Sequence, residues 1–168
     1  EGCGFFINTG VLHGAWNAEM GNCRFHSLVF HPRLIGGMDS VFWQKYLHPI
    51  LTDTSLQMVV FDIEETWHKD ACAAIEEAWQ AMVQEYPGYE FQVRAALSKL
   101  ILLLYNHCPL SGHEPSPKIL RNGERIKSML QYIQQCYEEP LTIGMIAQAA
   151  MISESECLRC FRETIGIT

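Results

Sequence analysis

The spacing of apolar residues changes near Asp62. From Gly4 to about Asp62, short apolar runs are broken by Gly, Pro, Asn and Asp. "GFFINTGVLHGAW", "NCRFHSLVFHP" and "LQMVVFDI" therefore predict β-strands joined by turns. Strand alternation places Phe5 and Phe6 on opposite faces and leaves open which one points inward. The stretch "SVFWQKYLHPIL" is apolar, with a period that does not decide between helix and strand. After Asp62 the period is helical. Trp67, Ala71, Ile75, Ala78, Met82 and Tyr86 share a face, Asp62 with Glu65 forms a capping-box-like start, and Pro87-Gly88 is the stop. A second helix, from about Tyr89 to His107, carries Phe91, Leu97, Leu100, Ile101 and Leu104 on its apolar side and closes at Cys108-Pro109. A turn so short predicts an antiparallel pair. Its apolar surface exceeds what one contact hides, so it is expected to cover a sheet or join a second copy of itself.

"PLSGHEPSPK", from Pro109 to Lys118, holds three prolines, two serines and a glycine, the composition of a linker. Beyond it, Ile126, Met129, Leu130, Ile133 and Tyr137 mark an amphipathic helix that Pro140 terminates. Thr142 is placed to cap a short helix from Ile143 to about Ala149. Ser153 with Glu156 forms an S-x-x-E capping box for the next, which runs to about Ile165. Only about three residues, Ala150 to Ile152, separate the two. A joint that short, with small Ala147 facing inward, predicts the steep crossing of a helix-turn-helix. Ile146, Ala150, Ile152, Cys157 and Phe161 are then expected inside. Ser153, Glu154, Ser155, Leu158, Arg159 and Arg162 are left as candidate DNA contacts, with Arg159 reaching a guanine edge and Arg162 a phosphate. An ordinary helical bundle offers the same spacing, and Glu154 and Glu156 suit a helix start while repelling phosphate.

Charge does not help the DNA reading. The chain of 168 residues carries a net charge of −7, and from Arg121 to Thr168 five Lys and Arg face six Glu. That segment lacks the basic footprint of an electrostatically driven DNA binder. The longest strongly apolar run, Leu100 to Tyr105, is far short of the roughly 20 residues of a membrane span, so no membrane partner is expected. Seven cysteines, an odd number without a regular framework, predict reduced thiols and a cytoplasmic location. Cys157 and Cys160 form a C-x-x-C with no second ligand pair at zinc-finger spacing, so they are read as small apolar side chains on one helix face.

The last stretch, "LTIGMIAQAAMISESECLRCFRETIGIT", resembles the first helix-turn-helix of the AraC/XylS family of bacterial transcription regulators. The resemblance rests on Leu141-Thr142, Ile146-Ala147, Ile152-Ser153, Arg159, Phe161 and Gly166, and "ERIKSMLQYIQQCYEEP" fits the helix that precedes it. Met151 stands at the turn position where Gly or Asn is common, because that residue often needs a positive φ. The family's DNA-binding region has two such units, of which this sequence carries one. At the other end, Gly2, Gly10, His13 and Asn17 fall at the spacing of the second cupin motif, with Asn8 in place of its Pro. The segment through "FHSLVFHP" and "SVFWQKYLHPIL" resembles the cupin-like sensor half of the same regulators.

The resemblance implies an α+β chain in four parts. These are a partial cupin-like β-barrel (1–62), a helical dimerisation hairpin (63–108), a linker (109–120) and the first helix-turn-helix (121–168). It implies a ligand-responsive regulator in the bacterial cytoplasm that binds operator DNA and a small-molecule effector, forms a homodimer and contacts RNA polymerase. Phe6, His13 and Trp16 are the candidate effector-site residues. No cofactor, metal site or catalytic residue is expected, since one histidine is not a metal site and His26 and His31 are more simply histidines in solvent or in hydrogen bonds. The alternative is a cupin metalloenzyme, a dioxygenase or isomerase, with a helical appendage. It requires converging His and Glu ligands.

Overall fold

The computed structural model describes residues 3–14, 24–112 and 116–165. The class is α+β: helices dominate, and one antiparallel pair of strands makes the sheet. The chain divides into two compact units. The first is Glu1–Val11 with Ala15–Glu114, and the second is Leu12–Gly14 with Pro115–Thr168.

In the first unit, β1 (Gly4–Ile7) pairs with β2 (Met58–Phe61), with Phe5 opposite Val60 and Phe6 opposite Val59. The alternation resolves with Phe6 packed against the core and Phe5 56% exposed. Of the barrel expected over 1–62, the described residues form this pair. The predicted strand at "FHSLVFHP" is corrected. Leu28 and Phe30 turn inward and Val29 is 97% exposed, so the alternation is real. A strand, however, exists by its ladder, and this segment pairs with no other among the described residues. The ambiguous stretch is helical. A π-turn spans Trp43–Leu47, and α1 (His48–Thr52) continues it. Pro49 has no N–H to give, and the wider turn ahead of it lets the His48 N–H reach the carbonyl of Trp43.

Two helices follow, α2 (Thr66–Gln84) and α3 (Tyr89–His107), joined by a turn in which Gly88 is left-handed with φ +89°. The expected start of α2 at Asp62 is corrected. The Asp62 carboxylate accepts the N–H of Glu64, two residues on, making a local turn, and Glu65 precedes the first helical residue. The face of α2 is as predicted at Trp67, Ala71, Ile75 and Ala78, which lie in or against the core, and is corrected toward its C-terminal end. It buries Ala71, Ala74, Ala78 and Ala81, while Met82 and Tyr86 are exposed. Against the alanines lie Val93, Ala96, Leu97, Leu100, Ile101 and Leu104 of α3, and Phe91 is exposed. One helix presents methyl groups and the other long side chains, so bulk from α3 fills the space that the alanines leave.

Two polar side chains sit inside this core, and both are satisfied. Asn8 donates from Nδ2 to the carbonyls of Ile50 and Leu56 at 2.7 and 2.8 Å, and its Oδ1 accepts the N–H of Thr9 at 2.8 Å. Asp53 accepts from the Ser55 hydroxyl and N–H, from the Ser111 hydroxyl and from the Gly112 N–H, all within 3.0 Å. These donors, the Ser55 hydroxyl foremost, hold its carboxyl well below the usual carboxylate range.

In the second unit, α4 (Pro117–Cys136), α5 (Ile143–Ala149) and α6 (Glu154–Ile165) enclose a core of Ile126, Met129, Ala147, Cys157 and Cys160. α4 begins inside the segment read as linker, because Ser116 caps it by accepting the N–H of Ile119 and Pro117 needs no hydrogen-bond partner. It ends at Cys136, ahead of Pro140, and leaves Tyr137 exposed.

Candidate nucleic-acid interface

Both ends of α5 are chemically defined. The Thr142 hydroxyl accepts the N–H of Met145 at 3.3 Å, the expected N-cap. At the other end the Ile152 N–H reaches the carbonyl of Ala147 at 3.0 Å, and the Met151 N–H that of Gln148 at 2.9 Å. This pair of bonds is a Schellman motif with Met151 at its left-handed position. Its φ is +54°, as the turn position demands, in a residue that carries a Cβ, and its side chain is 93% exposed.

α6 starts as the sequence predicts, but with half of the capping box. The Ser153 hydroxyl accepts the N–H of Glu156 at 3.3 Å. The Glu156 carboxylate, expected to return to Ser153, goes elsewhere. Its Oε1 accepts from Nη2 of Arg159 at 2.6 Å and from Nη1 of Arg125 on α4 at 2.8 Å. Arg159 Nη1 also lies 3.6 Å from Glu163 Oε1. The Arg159 hydrogen bond, with the charges of both arginines, holds the Glu156 carboxyl below its ordinary range.

The predicted division of α6 into faces is close to the observed one. Cys157 and Cys160 are buried, with Ile146, Ala150, Ile152 and Phe161 packed against them. Ser153, Glu154, Ser155, Arg159 and Arg162 are exposed, and Leu158 is half-buried. Ser153 and Ser155 hydroxyls lie 3.2 Å apart. Arg162 forms no ion pair among the described residues, whereas Arg159 is engaged on both terminal nitrogens. No local pattern points to Arg125. It lies 31 positions from Glu156, and only the folding of α4 onto α6 brings the two together.

Of the candidate effector residues, Phe6 and His13 lie among the described residues. Phe6 packs on the core of the first unit, His13 is an exposed residue outside helix and strand, and Trp16 lies outside the described residues, as do Gly2 and Asn17 of the cupin spacing. An open groove of about 510 Å³ lies elsewhere in the first unit, lined among others by Val59, Trp67, His107 and Cys108. The Trp67 and His107 rings stack there, 4.8 Å apart and within 3° of parallel. His26 stacks on Trp79 and bonds to Glu76 at 2.7 Å, and His31 accepts the N–H of Arg33. No three His, Cys, Asp or Glu among the described residues are grouped to hold a metal ion. No helix among them is long and apolar enough to cross a membrane.

Over 170 aligned residues the chain is 28% identical to the uncharacterised HTH-type transcriptional regulator YdeC of Bacillus subtilis (strain 168). The alignment takes in all of this chain and 56% of that protein, so the chain spans about half of its relative's length. No protein-family model and no solved structure matches the chain.

Proposed function

We propose that this chain belongs to a DNA-binding transcription regulator of AraC type, with α5 and α6 as a helix-turn-helix and α6 as its reading helix. The observation that carries the reading is the α5–α6 joint. A capped short helix, a Schellman turn and a second capped helix follow one another, with Ser155, Arg159 and Arg162 on the outer side of α6. Similarity along the whole chain to an HTH-type transcriptional regulator supports it. In this reading Arg159 contacts a guanine edge and Arg162 a phosphate, with Ser153, Glu154, Ser155 and Leu158 beside them.

The first unit is the sensing part, a portion of a cupin-like domain, and it takes a small organic effector without catalysing a reaction. The helical pair α2–α3 joins two copies of the chain through apolar side chains that the fold leaves exposed, Met82, Val83, Tyr86 and Phe91. An effector changes operator binding only as far as it favours one arrangement of the dimer over another. The protein works in the cytoplasm and acts on RNA polymerase at the promoter.

Selection of bound sequences from a random duplex library tests the reading. A defined sequence preference is expected, with Arg159→Ala losing about 1–3 kcal/mol of it at one base position. Enrichment of no sequence over the input library would remove the regulator reading.

A further inference from the structure

The outer face of α6 carries its own counter-charges. The helix has three glutamates, Glu154, Glu156 and Glu163, and two arginines, Arg159 and Arg162. Arg159 turns one terminal nitrogen to Glu156 at 2.6 Å and the other toward Glu163 at 3.6 Å. Those two nitrogens form a fork through which a guanidinium grips a guanine edge or a phosphate bidentately. Glu156 uses a single oxygen, Oε1, for both Arg159 and Arg125, so one carboxylate neutralises two cations on adjacent helices. Arg125 and Glu156 are each about a quarter exposed and Arg159 is 46% exposed, so incoming phosphates meet this network directly.

Resting on the DNA-binding reading above, we propose that Glu156 is a positioning residue that competes with DNA phosphate for Arg159 and Arg125 and thereby lowers the affinity of the α6 face for duplex DNA. The physical balance favours attenuation over blockade. Exposed ion pairs are individually weak, and a row of phosphates, each able to accept the same fork, displaces them at an affinity cost. The same competition accounts for a reading helix that is acidic overall. Its cations are held in place until DNA takes them.

The test is fluorescence anisotropy of the full chain on a short random-sequence duplex across a range of salt concentrations, with circular dichroism to verify folding. Glu156→Gln is expected to tighten binding roughly 3- to 10-fold by releasing Arg125 and one terminal nitrogen of Arg159. It also steepens the log–log salt slope by about 0.9 for each phosphate newly contacted. In an Arg159→Ala background Glu156→Gln should gain much less than in the unmodified chain, a coupling that a merely structural role for Glu156 does not predict. Glu163→Gln, at a residue whose ion pair among the described residues is with Arg159, leaves the tie to α4 intact and should tighten binding less and in the same direction. Unchanged or weaker binding by a folded Glu156→Gln overturns the proposal while leaving the DNA-binding reading standing. If Glu156→Gln does not fold, Glu163→Gln decides, and no gain there overturns it too. Absence of binding by the unmodified chain and by both variants, even at low salt, removes the DNA-binding reading itself.

Discussion

Among the described residues the first unit buries fifteen apolar side chains in one cluster and the second buries five, two of which are cysteines. The first also carries Asn8 and Asp53 inside, with their polar atoms hydrogen-bonded to α1 and to loop residues. The second has no comparable interior. It relies on caps at Ser116, Thr142 and Ser153, on a Schellman turn and on ion pairs across its surface. The two designs suit different demands. A large core with satisfied polar anchors fixes one arrangement of its elements, as a scaffold requires. A small core lets three helices keep most of their surface outside, where a reading helix is of use.

Substitutions separate the two designs by size of effect. Leu97→Ala, in the contact between α2 and α3, is expected to cost the first unit about 2–5 kcal/mol, because the alanine face opposite cannot move in to fill the cavity. Hydrogen exchange resolved by residue should show the loss in residues 66–107. An equal loss across 117–165 would break the distinction between the units.

Asp53→Ala comes next, at about 1–3 kcal/mol, since it removes the charged acceptor that Ser55, Ser111 and Gly112 share. The acid response has a definite sign. Asp53 titrates lower in the folded chain than in the unfolded one, so its stabilisation is present above the unfolded value near pH 4. It is lost as pH falls from there toward the folded value. Asp53→Asn should therefore lower stability at neutral pH and flatten the acid limb of a denaturation-against-pH curve. An acid limb of unchanged steepness would show that other carboxylates carry it.

In the second unit the effects are smaller and local. Thr142→Ala is expected to cost about 1 kcal/mol through the lost cap of α5. Met151→Gly is expected to stabilise by about 0.5–1 kcal/mol, because glycine takes the left-handed conformation without the Cβ penalty. Urea titrations of the two variants should move in opposite directions. Movement in the same direction would mean that the Met151 side chain contributes something its exposure conceals.

Legibility in the sequence follows the range of the interactions. Caps and turns act over a few residues, and Thr142, Ser153 and Pro87-Gly88 were readable for that reason. The position of Met151 was readable because its neighbours specify the turn, although Met is a poor residue for it. The face of α2 departs from expectation only toward its C-terminal end, where Met82 and Tyr86 give a strong hydropathic signal yet lie outside, whereas Ala81 gives a weak one and is buried. The segment around Leu28 has strand alternation without a ladder, and alternation alone cannot report a missing partner. At the candidate interface, Glu156 to Arg159 and Arg159 to Glu163 are helical neighbours by spacing. The tie from Glu156 to Arg125 is tertiary, and no local pattern encodes it.

The joint between α5 and α6 has a further consequence in oxidation chemistry. Met151 stands 93% exposed at the turn, while Met129 is fully enclosed in the core beneath. A peroxide in solution meets the first thioether freely and the second only when the unit opens. Conversion of Met151 to its sulfoxide adds a polar group where nothing packs, so the fold survives it. Peptide mapping of the two methionines after brief oxidation thus reads the opening of the second unit directly, with one sulfur as the clock and the other as the lock.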